Sequence, residues 1–126
     1  MKNVTIIIPA YNEEKTIKEI ISRVKRQKIF DLNKEIIVVN DGSTDKTGEL
    51  IKEITDINFI NYSRNRGKGY AIRSGLDKAT GDIVIIQDAD LELSPEDYPS
   101  LVKPILDGKS DVVNGSRILG KKIPEH

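Results

Sequence analysis

Apolar positions along the chain follow two rhythms that alternate. Short continuous runs rich in β-branched residues occupy 4–9 (Val-Thr-Ile-Ile-Ile-Pro), 35–39, 58–62 and 82–87, and residues 111–114 form a fifth candidate run. Runs of this length, closed by turn residues, predict strands, and their lack of alternation predicts strands covered on both faces. Between them the spacing changes to that of a helix. Ile17, Ile20, Ile21 and Val24 fall at i, i+3, i+4 and i+7, and Thr47, Leu50, Ile51 and Ile54 repeat the pattern. A third helical stretch carries Ile72, Gly75, Leu76 and Ala79. Ser94-Pro95-Glu96-Asp97 has the composition of a helix start, and Pro99 and Pro104 predict that this helix is short, kinked or broken. Asn12 is the expected cap of the first helix, with Glu13 and Glu14 favourably placed for its dipole, and Ser43 or Thr44 the expected cap of the second. Alternation of this kind predicts one α/β domain spanning 1–126: an open, mostly parallel, doubly wound sheet with helices on both faces.

Composition narrows the chemistry. The 126 residues carry 20 basic and 20 acidic side chains, so no net charge draws the chain to nucleic acid. With no cysteine, disulfide scaffolds, thiol nucleophiles and cysteine-ligated metals are excluded. His126 is the single histidine and the last residue, which leaves no basis for histidine-centred catalysis. Neither a signal peptide nor a run near the ~20 apolar residues of a spanning helix is present. A cytoplasmic protein is the expectation.

Ligands of open parallel sheets bind at the carboxyl ends of the strands. Those ends carry this chain's unusual residues: Tyr11-Asn12-Glu13-Glu14, Asn40-Asp41-Gly42-Ser43, residues 64–69, Asp88-Ala89-Asp90 and Gly115-Ser116-Arg117. Six acids and no base lie between 82 and 97. Such a cluster suits a hard divalent ion, Mg²⁺ or Mn²⁺, or else forms a solvated acidic loop. Asp41 could accept hydrogen bonds from a base or a ribose, or serve only the turn. Residues 64–78 carry five bases against one acid, with Gly67 and Gly69 allowing close backbone approach to an anion. Lys68 and Arg64 are its better ligand candidates, while Arg73 and Lys78 belong to a solvated face. Tyr11 could stack on a nucleobase, Glu13 could reach a ribose and Arg117 could bind phosphate, and none of these stands alone.

The ordered set Ile-Ile-Pro-Ala-Tyr-Asn-Glu-Glu (7–14), Val-Val-Asn-Asp-Gly-Ser-Thr-Asp (38–45), Asn-Arg-Gly-Lys-Gly-Tyr-Ala (65–71) and Gln-Asp-Ala-Asp-Leu-Glu (87–92) resembles the inverting family-2 glycosyltransferases of GT-A fold. The dolichol-phosphate mannose synthase-like branch is the most similar, and Val-Val-Asn-Gly-Ser-Arg (112–117) fits it. The resemblance implies a nucleotide pocket lined by Pro9, Tyr11, Glu13, Asp41, Lys68 and Arg117. It also implies catalytic Asp88 and Asp90, holding Mg²⁺ or Mn²⁺ together with Glu92. The implied reaction is transfer of a hexose from a GDP- or UDP-sugar, with inversion, to a polyprenyl or dolichyl phosphate or another acceptor. Family members continue into an acceptor-side part that this sequence lacks, so a fragment or a short form is expected, working with a copy of itself or a partner chain. Peripheral attachment at the cytoplasmic membrane face follows from the family alone. Three rival readings remain: a nucleotide-sugar-binding module without transfer, a sugar nucleotidyltransferase, and a phospho-acceptor domain.

Overall fold

A computed structural model describes residues 3–89, 94–107, 112–113 and 118–120. Six strands form one sheet: β1 (Asn3–Ala10), β2 (Asn33–Asp41), β3 (Asn58–Tyr62), β4 (Ile83–Ile86), β5 (Val112–Val113) and β6 (Ile118–Gly120), in the order β3-β2-β1-β4-β6-β5. The first four in that order run parallel, and β6 and β5 add an antiparallel pair at one side. The mostly parallel sheet expected from the sequence is thus present. Strand β6 was not anticipated, because three residues are too few to show a periodicity.

Helix α1 (Ile17–Arg26) lies on one face with α2 (Thr47–Lys52) and α4 (Tyr98–Leu106), and α3 (Lys68–Lys78) covers the other. Val4, Ile6, Ile8 and Ala10 of β1 join the first layer of the core and Ile7 joins the second. Because both faces are covered, the strand runs are continuously apolar. All four residues of the predicted α1 stripe are buried. Successive crossovers through α1 and α2 move the chain from β1 outward to β3. The α3 crossover then returns it past β2 and β1 to β4 on the opposite face, which preserves the crossover hand. At the amino-terminal end of the sheet, Glu35 Oε1 accepts from Thr5 Oγ1 at 2.7 Å and Thr80 N at 2.9 Å, fixing the α3–β4 connection beneath β1 and β2.

Three local expectations are corrected. Asn12 has φ 54° and does not cap α1, which begins at Ile17 behind Thr16. Its carboxamide faces the neighbouring loop. Neither Ser43 nor Thr44 caps α2, which starts at Thr47 with Asp45 bonded to its first amide. That helix ends at Lys52, so half-buried Ile54 reaches the core from beyond it. The stretch after Ser94 opens as a 3-10 turn, Pro95–Asp97, with no side-chain cap, before the short α4 that contains Pro104.

Candidate functional site

The chain leaves β1 toward β2 on one side, while β4 arrives on the other from the far edge of the sheet. Their carboxyl ends diverge there into a crevice, the place where open α/β sheets bind ligands. A pocket of about 340 Å³ fills it. Pro9, Ala10, Tyr11 and Glu13 line it from the end of β1, and Asp41 from the end of β2. Asn65, Gly67, Lys68 and Ala71 contribute the start of α3, with Asp88 and Ala89 from just past β4.

One wall is built by two loops clasped together. Asn12 Oδ1 accepts from Thr44 N at 2.8 Å and Asp45 N at 3.3 Å, while Asn12 N donates to Ser43 Oγ at 2.9 Å. In return, Asp45 Oδ2 accepts Glu14 N, and Glu14 Oε1 accepts Lys46 N. Thr47, fully buried, joins both loops by accepting Glu13 N and donating to Asp45 Oδ1. Burial pushes the Asp45 carboxyl up, but the hydrogen bonds from Thr47 and from backbone N–H groups outweigh it and hold the carboxyl below its ordinary value.

Asp41, 3% exposed, organises the opposite wall. Its two oxygens accept Arg66 N at 2.8 Å and Gly67 N at 2.9 Å, the amides that lead into α3. The next residue, Gly42, has φ 70°, and a Cβ there would lie 2.1 Å from the carbonyl carbon of Arg64. No larger residue lets these two loops cross. Lys68, the first residue of α3, forms an ion pair with Asp88, which is 8% exposed. Arg66 leans over the Tyr70 and Tyr62 rings at 5.3 and 5.9 Å, outside the pocket.

Behind Asp88 the wall is polar yet buried. The Tyr98 hydroxyl donates to Gln87 Oε1 at 2.6 Å, and Gln87 Nε2 donates to the Asp88 carbonyl at 3.1 Å. Burial pushes the Tyr98 phenol far up, so it remains a donor at every ordinary pH.

Pro9, Tyr11, Glu13, Asp41, Lys68 and Asp88, drawn from four separate sequence clusters, therefore share one pocket. Arg64 does not: its side chain is exposed and away from the lining. Asp90, Glu92 and Arg117 lie outside the described residues. Asn65, Ala10, Ala71 and Ala89 were not singled out as lining. Asn65 carried a signal within its cluster, whereas alanines that make room for a ligand carry none. Asp88 offers a hard oxygen donor of the kind a divalent ion takes. Among the described residues no group of three or more such ligands stands together. No helix among them is long and apolar enough to cross a membrane.

The model of the family described as glycosyl transferase family 2 matches residues 5–124. The chain belongs to this family. A dolichol-phosphate mannosyltransferase of Pyrococcus furiosus is 37% identical over 124 residues, covering 95% of this chain and 35% of that protein. A UDP-N-acetylglucosamine–dolichyl-phosphate N-acetylglucosaminyltransferase of Methanococcus voltae is 34% identical, covering 96% of this chain and 54% of its own. Among solved structures, a mannosyltransferase of Pyrobaculum calidifontis in complex with GDP-Man and Mn²⁺ superposes with TM-score 0.72 at 32% identity. That match covers 81% of this chain and 32% of the other. The chain thus spans about a third to a half of the length of the relatives it matches.

Proposed function

We propose that this glycosyl transferase family 2 chain forms the nucleotide-sugar-binding part of an inverting, metal-dependent glycosyltransferase. The donor is a GDP- or UDP-hexose and the acceptor a polyprenyl or dolichyl phosphate. The observation that carries the reading is the convergence of Tyr11, Glu13, Asp41, Lys68 and Asp88 on one pocket at the strand-order reversal. Relatives named for transfer to dolichol phosphate, and a structural neighbour holding GDP-Man and Mn²⁺, support it.

Each residue has a role its surroundings suit. Tyr11, 44% exposed at the pocket mouth, offers a ring face to a nucleobase. Both Asp41 oxygens already accept a backbone amide, and a carboxylate oxygen has a second lone pair for a base N–H. Glu13, on the same lining, would accept from a ribose hydroxyl. Lys68 brings its ammonium beside the diphosphate, where charge grows as the bond from the sugar anomeric carbon to the phosphate oxygen breaks. Asp88, with Asp90 and Glu92, would hold Mg²⁺ or Mn²⁺, and Arg117 would meet phosphate. The ion, when bound, supplies further positive charge to the leaving diphosphate. On the opposite face of the sugar, an acceptor phosphate oxygen forms the new bond to the anomeric carbon. Such an acceptor is already anionic, so the chain need not provide a base. A lipid acceptor also implies work at the cytoplasmic membrane face.

Calorimetric titration with UDP and with GDP, each with and without Mn²⁺, tests the proposal. Metal-strengthened binding of one nucleotide is expected, and Asp88→Asn should abolish the metal-dependent part while leaving the fold intact. A folded protein that binds neither nucleotide would overturn the reading.

A further inference from the structure

Gln87 and Tyr98 are both fully buried, and neither lines the pocket. A hydroxyl and a carboxamide are costly to bury unless they are bonded, and an apolar pair of similar size would fill the space at lower cost. What an apolar pair could not supply is direction. The Tyr98 hydroxyl fixes the Gln87 carboxamide at 2.6 Å, and that carboxamide holds the carbonyl of Asp88 at 3.1 Å. Gln87 N meanwhile donates to Ile7 O at 2.8 Å, anchoring the same residue to β1. Tyr98 is placed from outside as well. It follows the 3-10 turn whose Glu96 accepts from Arg23 Nε and from Gln27 Nε2, both at 3.2 Å, so the turn is tied to α1 and the residue just past it.

We infer that Tyr98 and Gln87 are positioning residues that orient Asp88 toward the ligand in the pocket. The inference rests on the nucleotide-sugar reading. Through the Asp88 peptide the pair determines where the carboxylate points, although neither side chain reaches the ligand. Partners one step behind a metal-binding carboxylate typically change metal affinity by roughly 10–100-fold when removed.

The test is titration of UDP and GDP, with and without Mn²⁺, into the full chain carrying Tyr98→Phe, Gln87→Leu or both, alongside the wild type. Tyr98→Phe keeps the ring in place and removes only the directing bond. Nucleotide affinity without metal should stay unchanged, while the strengthening by Mn²⁺ should fall by roughly tenfold or more. Gln87→Leu should give the same split, and the double variant should be no worse than either single, since all three break one chain of bonds. A merely structural role would lower both affinities together, in step with a loss of melting temperature. Retention of full Mn²⁺ strengthening in either folded single variant would overturn the inference. Absence of any Mn²⁺ effect in the wild type would instead overturn the donor-site reading itself, and this inference with it.

Discussion

Asp41 lines the pocket and Asp45 ties the loop that follows it to the β1 loop, and both hold backbone amides. Asp45 takes Thr47 N at 2.9 Å and Glu14 N at 3.3 Å, so its charged form is favoured in the folded chain. Its carboxyl is held below the ordinary value there, and the stabilising effect is fully present above the pKa of the unfolded chain, about 3.9. That contribution is lost as pH falls through the lower folded value. Chemical denaturation between pH 5 and 2, on the order of that window, should show the wild type losing stability more steeply than Asp45→Asn. At pH 7 the variant should be weaker by about 1 kcal/mol, because its amide nitrogen cannot accept the Glu14 N–H that Asp45 Oδ2 holds. Parallel pH profiles would remove Asp45 from this role. The sequence made Asp41 legible as a turn or ligand residue, but not as the acceptor for amides 25 and 26 positions away. Asn12 shows the same limit: its composition fits a local cap, and its bonds go 32 residues on. Periodicity and propensity describe neighbours in sequence, and these contacts exist only after the strands have paired.

At the level of elements, hydrophobic spacing was a sound guide for the first helix and for the continuously apolar strands. The α1 stripe and the runs of β1, β2 and β4 are buried as the spacing implies. Ends were harder to read, because side chains from elsewhere set them. Helix α1 stops where Lys34 Nζ donates to Val24 O at 2.7 Å and Lys25 O at 2.8 Å, an ammonium cap supplied by β2. Burial pushes that ammonium below its usual value. Helix α3 shows the reverse case, in which a weak helix former is required. A Cβ on Gly75 would come within 2.6 Å of Ile7 Cγ2, so the helix lies directly on β1. Alanine would favour an isolated helix by about 1 kcal/mol, yet overpacking at such a contact costs about 1–3 kcal/mol. Gly75→Ala should therefore lower the urea midpoint. An unchanged or higher midpoint would mean that Ile7 can turn aside at no cost.

For the molecule as a whole, strand–helix alternation was enough to foresee a doubly wound sheet, whose carboxyl edge carries the pocket. Strand order was not legible, since it depends on which strands meet across the sheet. That order matters for the site. Residues 9–13 and 41 stand at the ends of strands that pair early in the chain and Lys68 opens the α3 crossover, whereas Asp88 arrives with β4 only after that crossover has reached the far side of β1. The β1–β2–β3 half can pair through local crossovers, but closing the crevice requires a contact of long sequence separation, which comes late because its loop entropy must be met first. The crevice is thus also a seam between an early and a late half of the chain. A nucleotide lodged in it would act as a rivet across that seam, absent while the halves are meeting and present once they have joined. Saturating nucleotide should slow unfolding in a urea jump and leave refolding unchanged. Faster refolding would mean that the seam closes before the rate-limiting step.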